Sequence, residues 1–95
     1  MDDNKVYLFY SRNEGSEIIF RGVFSDENTF EDKARELIKR DLSYIRQRFP
    51  HLKVHTDEQI VDGIILDLSS KKSGEWTDVW AVDYMFQLVE LNKLL

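Results

Sequence analysis

The apolar positions of this chain follow two rhythms. In Val6-Tyr7-Leu8-Phe9-Tyr10, Ile18-Ile19-Phe20 and Ile64-Ile65-Leu66 they run unbroken, whereas between Phe30 and Phe49 they recur every third or fourth residue. Unbroken runs rich in β-branched and aromatic residues predict strands, and the three-to-four spacing predicts a helix with one apolar stripe. A strand with one solvated face alternates apolar with polar residues. These runs alternate only in part, so the sheet they build is expected to be apolar on both faces.

Residues 5–11 and 17–24 predict two strands. The polar connection Ser11-Arg12-Asn13-Glu14-Gly15-Ser16 suits a hairpin, and Gly22 marks a bulge or a close backbone approach. Thr29 with Asp32 approximates a capping box. The stripe Phe30, Ala34, Leu37, Ile38, Leu42, Ile45 and Phe49 follows it, and Pro50 disfavours helix at the residue before it. The expected helix spans about 29–49, with Leu37, Ile38 and Ile45 buried. Leu52–His55 reads as a short extended piece. Thr56-Asp57-Glu58-Gln59 is a second capping box, opening a turn or short helix over 57–62, and Ile64–Leu68 reads as a strand. A polar loop over 69–75 leads into the apolar run Trp76–Leu91, which predicts a strand with Trp80, Val82, Tyr84, Phe86 and Leu88 facing the core. The helical spacing of Met85, Leu88, Leu91 and Leu95 leaves a helix over 84–95 as the alternative.

The expected fold is therefore α+β. A small antiparallel sheet of about four strands packs on one long amphipathic helix, in the order β-β-α-β-β, as a single domain over residues 1–95. One helix covers one face of such a sheet. The other face needs another copy of the chain, a different protein or an unrecognised second helix.

Composition narrows the class. At 95 residues with 42% hydrophobic and 33% charged side chains of mixed sign, the chain suits one folded domain. The absence of cysteine rules out disulfides and thiolate metal sites. With an acidic start and no long apolar run, neither a secretory signal nor a membrane span is expected, and the chain reads as cytoplasmic. The net charge of −5 is unevenly placed. Residues 30–49 hold six basic side chains against four acidic ones, and residues 56–95 hold eight acidic against three basic.

Candidate chemistry is sparse. His51 and His55 are the only histidines, and extended backbone would hold them roughly 13 Å apart, too far for one metal. Asp57, Glu58, Asp62 and Asp67 lack the calcium-loop pattern. The four glycines are isolated, so no phosphate loop or nucleophile elbow exists, and no thiol nucleophile is available. No cofactor or catalytic set is expected, and the chain is expected not to be an enzyme.

Two binding surfaces remain. Asp57, Glu58, Asp62, Trp76 and Asp78 form an acidic set around a tryptophan, suited to a protein partner with a basic surface. Arg35, Lys39 and Arg46 lie four and seven residues apart on the helix and offer a row for phosphates. Glu31, Glu36 and Asp41 interleave with that row, and the chain as a whole is acidic, so nucleic acid is the second reading. The leading expectation is a small protein-interaction domain of inhibitor, immunity or assembly-factor type that forms a homodimer through the sheet's second face or an edge strand.

Overall fold

The structure is a computed structural model and describes residues 5–13, 17–77 and 81–90. Its elements in chain order are β1 (Lys5–Asn13), β2 (Ile18–Phe24), α1 (Glu27–Arg48), a 3-10 turn over Pro50–Val54, α2 (Asp57–Ser70) and β3 (Val82–Glu90). The fold is α+β, with a three-stranded antiparallel sheet in the order β2-β1-β3 and two helices. It therefore departs from the expected order at one element: residues 64–68 are not a strand but the second half of α2.

The reason is periodicity. Ile60, Val61, Ile64, Ile65 and Leu68 are all buried and repeat at the spacing of one helix face, while Leu66 between them is exposed. Their β-branched character suggests a strand, but tertiary packing against α1 outweighs that propensity. The helix starts where its capping box sets it. The Thr56 hydroxyl accepts from the Gln59 N–H at 3.1 Å, and the Gln59 side chain accepts from the Thr56 N–H at 2.9 Å.

α1 begins two residues earlier than expected, because Asp26 rather than Thr29 is its cap. The Asp26 carboxylate accepts from the Thr29 N–H at 2.8 Å and from the Thr29 hydroxyl at 3.0 Å. These bonds hold the Asp26 carboxyl below its ordinary value of 3.8. The helix ends at Arg48 with Phe49 as C-cap, ahead of Pro50 as expected. Ile38 and Ile45 are fully buried, whereas Leu37 is only partly so and packs at the border of the core.

One core joins both helices to one face of the sheet. Phe9, Val82 and Tyr84 from the sheet meet Phe30, Ala34, Ile38, Leu42 and Ile45 of α1 and the buried face of α2. Tyr84 is fully buried, and its hydroxyl donates to Asp41 Oδ2 at 2.7 Å. Burial first, and the neighbouring Asp41 charge second, keep that hydroxyl protonated. α2 thus lies on the same side of the sheet as α1. The second helix that the sequence leaves unrecognised past residue 62 does not cover the second face.

The long strand expected over 76–91 is shorter. β3 starts at Val82, and residues 78–80 and 91 lie outside the described residues. Trp76 instead forms an isolated antiparallel bridge with Met85. The Gly74 N–H donates to the Phe86 carbonyl at 2.8 Å, and the Thr77 N–H donates to the Tyr84 carbonyl at 2.9 Å. The side chains of Thr77 and Ser73 return the favour, accepting from the Tyr84 and Leu88 N–H groups, each at 2.9 Å. The expected fourth strand is thus β3 itself, and the end of the expected 69–75 loop, with Trp76 and Thr77, lies along its outer edge. Residues 84–90 are strand, which excludes the helical alternative there.

Candidate interaction surfaces

The two binding sets expected from sequence face each other. α1 and α2 form an antiparallel pair, and Arg35 Nη1 lies 2.6 Å from Asp62 Oδ1 while Arg46 Nη2 lies 2.7 Å from Asp57 Oδ1. Hydrogen bonding to Asp62 raises the Arg35 pKa. Arg46 also donates to the carbonyls of Leu52 at 3.1 Å and His55 at 2.9 Å, so it anchors the 3-10 turn that joins the helices. Two of the three candidate nucleic-acid cations are therefore paired with two of the candidate partner-binding acids. Lys39 and Glu58 are exposed and outside this seam. Asp78 lies outside the described residues.

Trp76 sits elsewhere, on the sheet face away from the helices. The Arg12 guanidinium lies 4.2 Å above its ring centre, and Arg12 Nε lies 3.1 Å from Asp83 Oδ2. Cross-strand neighbours share a face. The register therefore places Val6, Leu8, Tyr10 and Arg12 of β1 with Val89, Gln87, Met85 and Asp83 of β3 on this outer face. No described helix packs on it.

β2 adds the exposed part. Its register with β1 slips between Phe9 and Tyr10, so that Gly22 pairs with Phe9, Phe20 pairs with Tyr10, and Arg21 is an extra residue. This is the bulge that Gly22 signalled. Gly22 has φ +155°, and a Cβ there would sit 2.9 Å from the Phe24 ring, so both the backbone and the neighbour favour glycine. The bulge turns Arg21 towards the helices, where its Nε donates to Ser11 Oγ at 2.8 Å. Ile18, Phe20 and Val23 are left on the outer face with 56%, 54% and 54% of their surface exposed. Ile19, on the helix side but beyond the helices, is also exposed. On the outer face Ile18, Phe20 and Val23 form a patch rather than a scatter of single residues.

A groove of about 330 Å³ lies between β2 and α1. Phe9, Phe24 and Leu37 form its apolar lining, and Arg21, Lys33 and Arg40 stand on its rim with Glu36 as the one acid. Lys33 pairs with Glu36 at 3.6 Å. Three basic side chains and one acid thus line the groove of a chain whose net charge is −5.

His51 and His55 fall at the 3-10 turn, whose rise of about 2 Å per residue brings them closer than extended backbone would. Both are exposed, and His51 packs its ring against Phe49. Among the described residues, no group of three or more His, Asp and Glu is arranged to hold a metal ion. No described helix is long and apolar enough to cross a membrane.

Comparison with protein families, curated proteins and solved structures finds no match to this chain.

Proposed function

We propose that this chain is a small, non-catalytic protein-interaction domain that acts by occupying a partner's surface, in the manner of an inhibitor, immunity protein or assembly factor. The observation that carries the reading is the apolar row Ile18, Phe20 and Val23, more than half exposed on an edge strand. Apolar surface left in water is costly, and a rim of charged groups around it is the usual anatomy of a protein contact. Trp76 stacked under Arg12 marks the opposite border of the same face. The lack of cysteine supports a cytoplasmic setting for this contact.

Nucleic-acid binding through Arg35, Lys39 and Arg46 draws less support. Two of those cations would have to leave carboxylate partners before meeting phosphate. A chain of net charge −5 also gains little from counterion release.

The test is affinity capture from the source cell with the wild-type chain beside Ile18→Glu/Phe20→Glu, followed by calorimetric titration of the captured protein. The expected result is a protein that binds the wild type directly and is lost with the variant, whose circular dichroism is unchanged. A partner that binds both equally places the function on another surface and rejects this reading.

A further inference from the structure

The sheet ends at β2, which has β1 on one side and no described strand on the other. Alternate N–H and C=O groups of an edge strand point away from the sheet, and the ligand that matches such a row is another extended backbone. The side chains of this strand indicate which one. Building on the protein-interaction reading above, we propose that Glu17–Arg21 pairs antiparallel with the same segment of a second copy, about a two-fold axis at Ile19.

Symmetry limits the choices. Two identical edge strands pair antiparallel only about an axis perpendicular to the sheet, which keeps the helices of both copies on one side. Directly opposed residues must then share a face, so the axis passes through a residue, not between two. With the axis at Ile18, the Glu17 carboxylate faces the Ile19 side chain. With the axis at Phe20, Ile19 faces the Arg21 guanidinium and Ile18 faces Gly22. With the axis at Ile19, Glu17 faces Arg21, Ile18 faces Phe20, and Ile19 faces itself. Of these three registers, only the last matches charge with opposite charge and apolar with apolar at every position. This self-complementarity is what selects a second copy over a foreign strand.

The local structure fits that register. Glu17, Ile18, Ile19, Phe20 and Arg21 are all exposed. In the single chain Arg21 Nε donates to Ser11 Oγ of β1, on the inner side of β2, so the guanidinium turns from that bond to meet the Glu17 carboxylate across the free edge. The bulge at Arg21 and the positive φ of Gly22 end the regular edge there, so the pairing is five residues long and the dimer is reversible.

The chain has no cysteine, so one introduced thiol reports the register alone. Under mild oxidation Ile19→Cys should form a disulfide-linked dimer, because directly opposed Cα atoms lie about 4.5–5.5 Å apart, within disulfide reach. Ile18→Cys alone and Phe20→Cys alone should crosslink poorly, being offset by two positions at about 7–8 Å, whereas a mixture of the two should crosslink readily. In sedimentation velocity the wild type should dimerise reversibly. Glu17→Arg should raise the dimer dissociation constant about tenfold, and adding Arg21→Glu should restore it. Crosslinking of Ile18→Cys or Phe20→Cys alone as fast as Ile19→Cys would overturn the register. A wild-type chain that sediments as a monomer at the highest attainable concentration would overturn the dimer. Either result leaves capture of a foreign protein on the outer face intact, so this proposal and the interaction reading fail separately.

Discussion

β2 and β3 flank the same central strand, and both carry apolar side chains, yet the two are finished in opposite ways. The outer edge of β3 is closed by residues 73–77, whose backbone and hydroxyl groups meet its N–H and C=O groups. Behind that seal, Val82, Tyr84 and Met85 are buried. The outer edge of β2 has no such seal among the described residues, and Ile18, Ile19, Phe20 and Val23 are exposed. A sealed edge and an exposed apolar edge thus stand on opposite sides of one small sheet. Edge strands invite pairing, and proteins that remain monomeric blunt them with charge, proline or bulges. Here the bulge and Arg21 blunt only the C-terminal half of β2, and the half before it is left apolar.

Substitutions should separate the two edges, with the largest effects in the shared core behind β3. Ile64→Ala on α2 should cost about 2–5 kcal/mol in a denaturant melt, since the side chain is fully buried between helices and sheet. A loss of less than about 0.5 kcal/mol would show that residues 57–70 do not pack as a core helix. Next comes the seal itself. Thr77→Val keeps the shape of a fully buried side chain but removes the oxygen that accepts from the Tyr84 N–H. An unsatisfied buried donor should cost about 1–3 kcal/mol by urea unfolding. Tyr84→Phe, which strips Asp41 of its buried donor, should fall in the same range of about 1–3 kcal/mol.

On the open edge the expectation reverses. Val23→Thr should change stability by no more than about 0.5 kcal/mol while reducing the exposed apolar patch. A large loss of stability would mean that β2 is held by packing like β3, and the contrast between the edges would collapse.

A control far from both edges lies at the start of α1. The Asp26 carboxyl is held below 3.8 in the folded chain, so the contribution of its charge is present above that value and is lost as pH falls through the lowered one. Asp26→Asn keeps an acceptor for the Thr29 N–H but has no charge to lose. The gap between wild-type and variant urea midpoints should therefore be present at neutral pH and narrow as the solution is acidified below the ordinary carboxyl range. A gap independent of pH would assign the capping to the hydrogen bond alone.

Much of the fold is legible in the residues, and the exceptions have physical causes. The 29–49 stripe, the Pro50 stop and the Thr56 capping box read directly because each is a local signal. Ile64 to Leu68 misleads because Ile favours strands locally, while the partner that makes it helical, the face of α1 carrying Ile38 and Ile45, is distant in sequence. That one misreading also hides the fate of the candidate sites. With 64–68 read as a strand, nothing suggests that Asp57 and Asp62 lie across from Arg46 and Arg35, where two acids of one candidate set and two cations of the other become an ion-paired seam between the helices. The patch on β2 is half legible. Its apolar run and its glycine are visible in sequence, but that β2 rather than β3 keeps a free edge depends on where residues 73–77 return.

The central claim is that β2 is the working edge and β3 the closed one, and amide hydrogen exchange resolves both at once. In dilute solution, the amides of β3 opposite residues 73–77 should exchange slowly, and the outward-facing amides of 17–21 should exchange fast. As concentration rises, or when a protein partner is added, protection should appear over 17–21 while β3 and α2 remain unchanged. Protection that appears instead over β3 or the α1–α2 seam, with 17–21 still exchanging freely, would contradict the account.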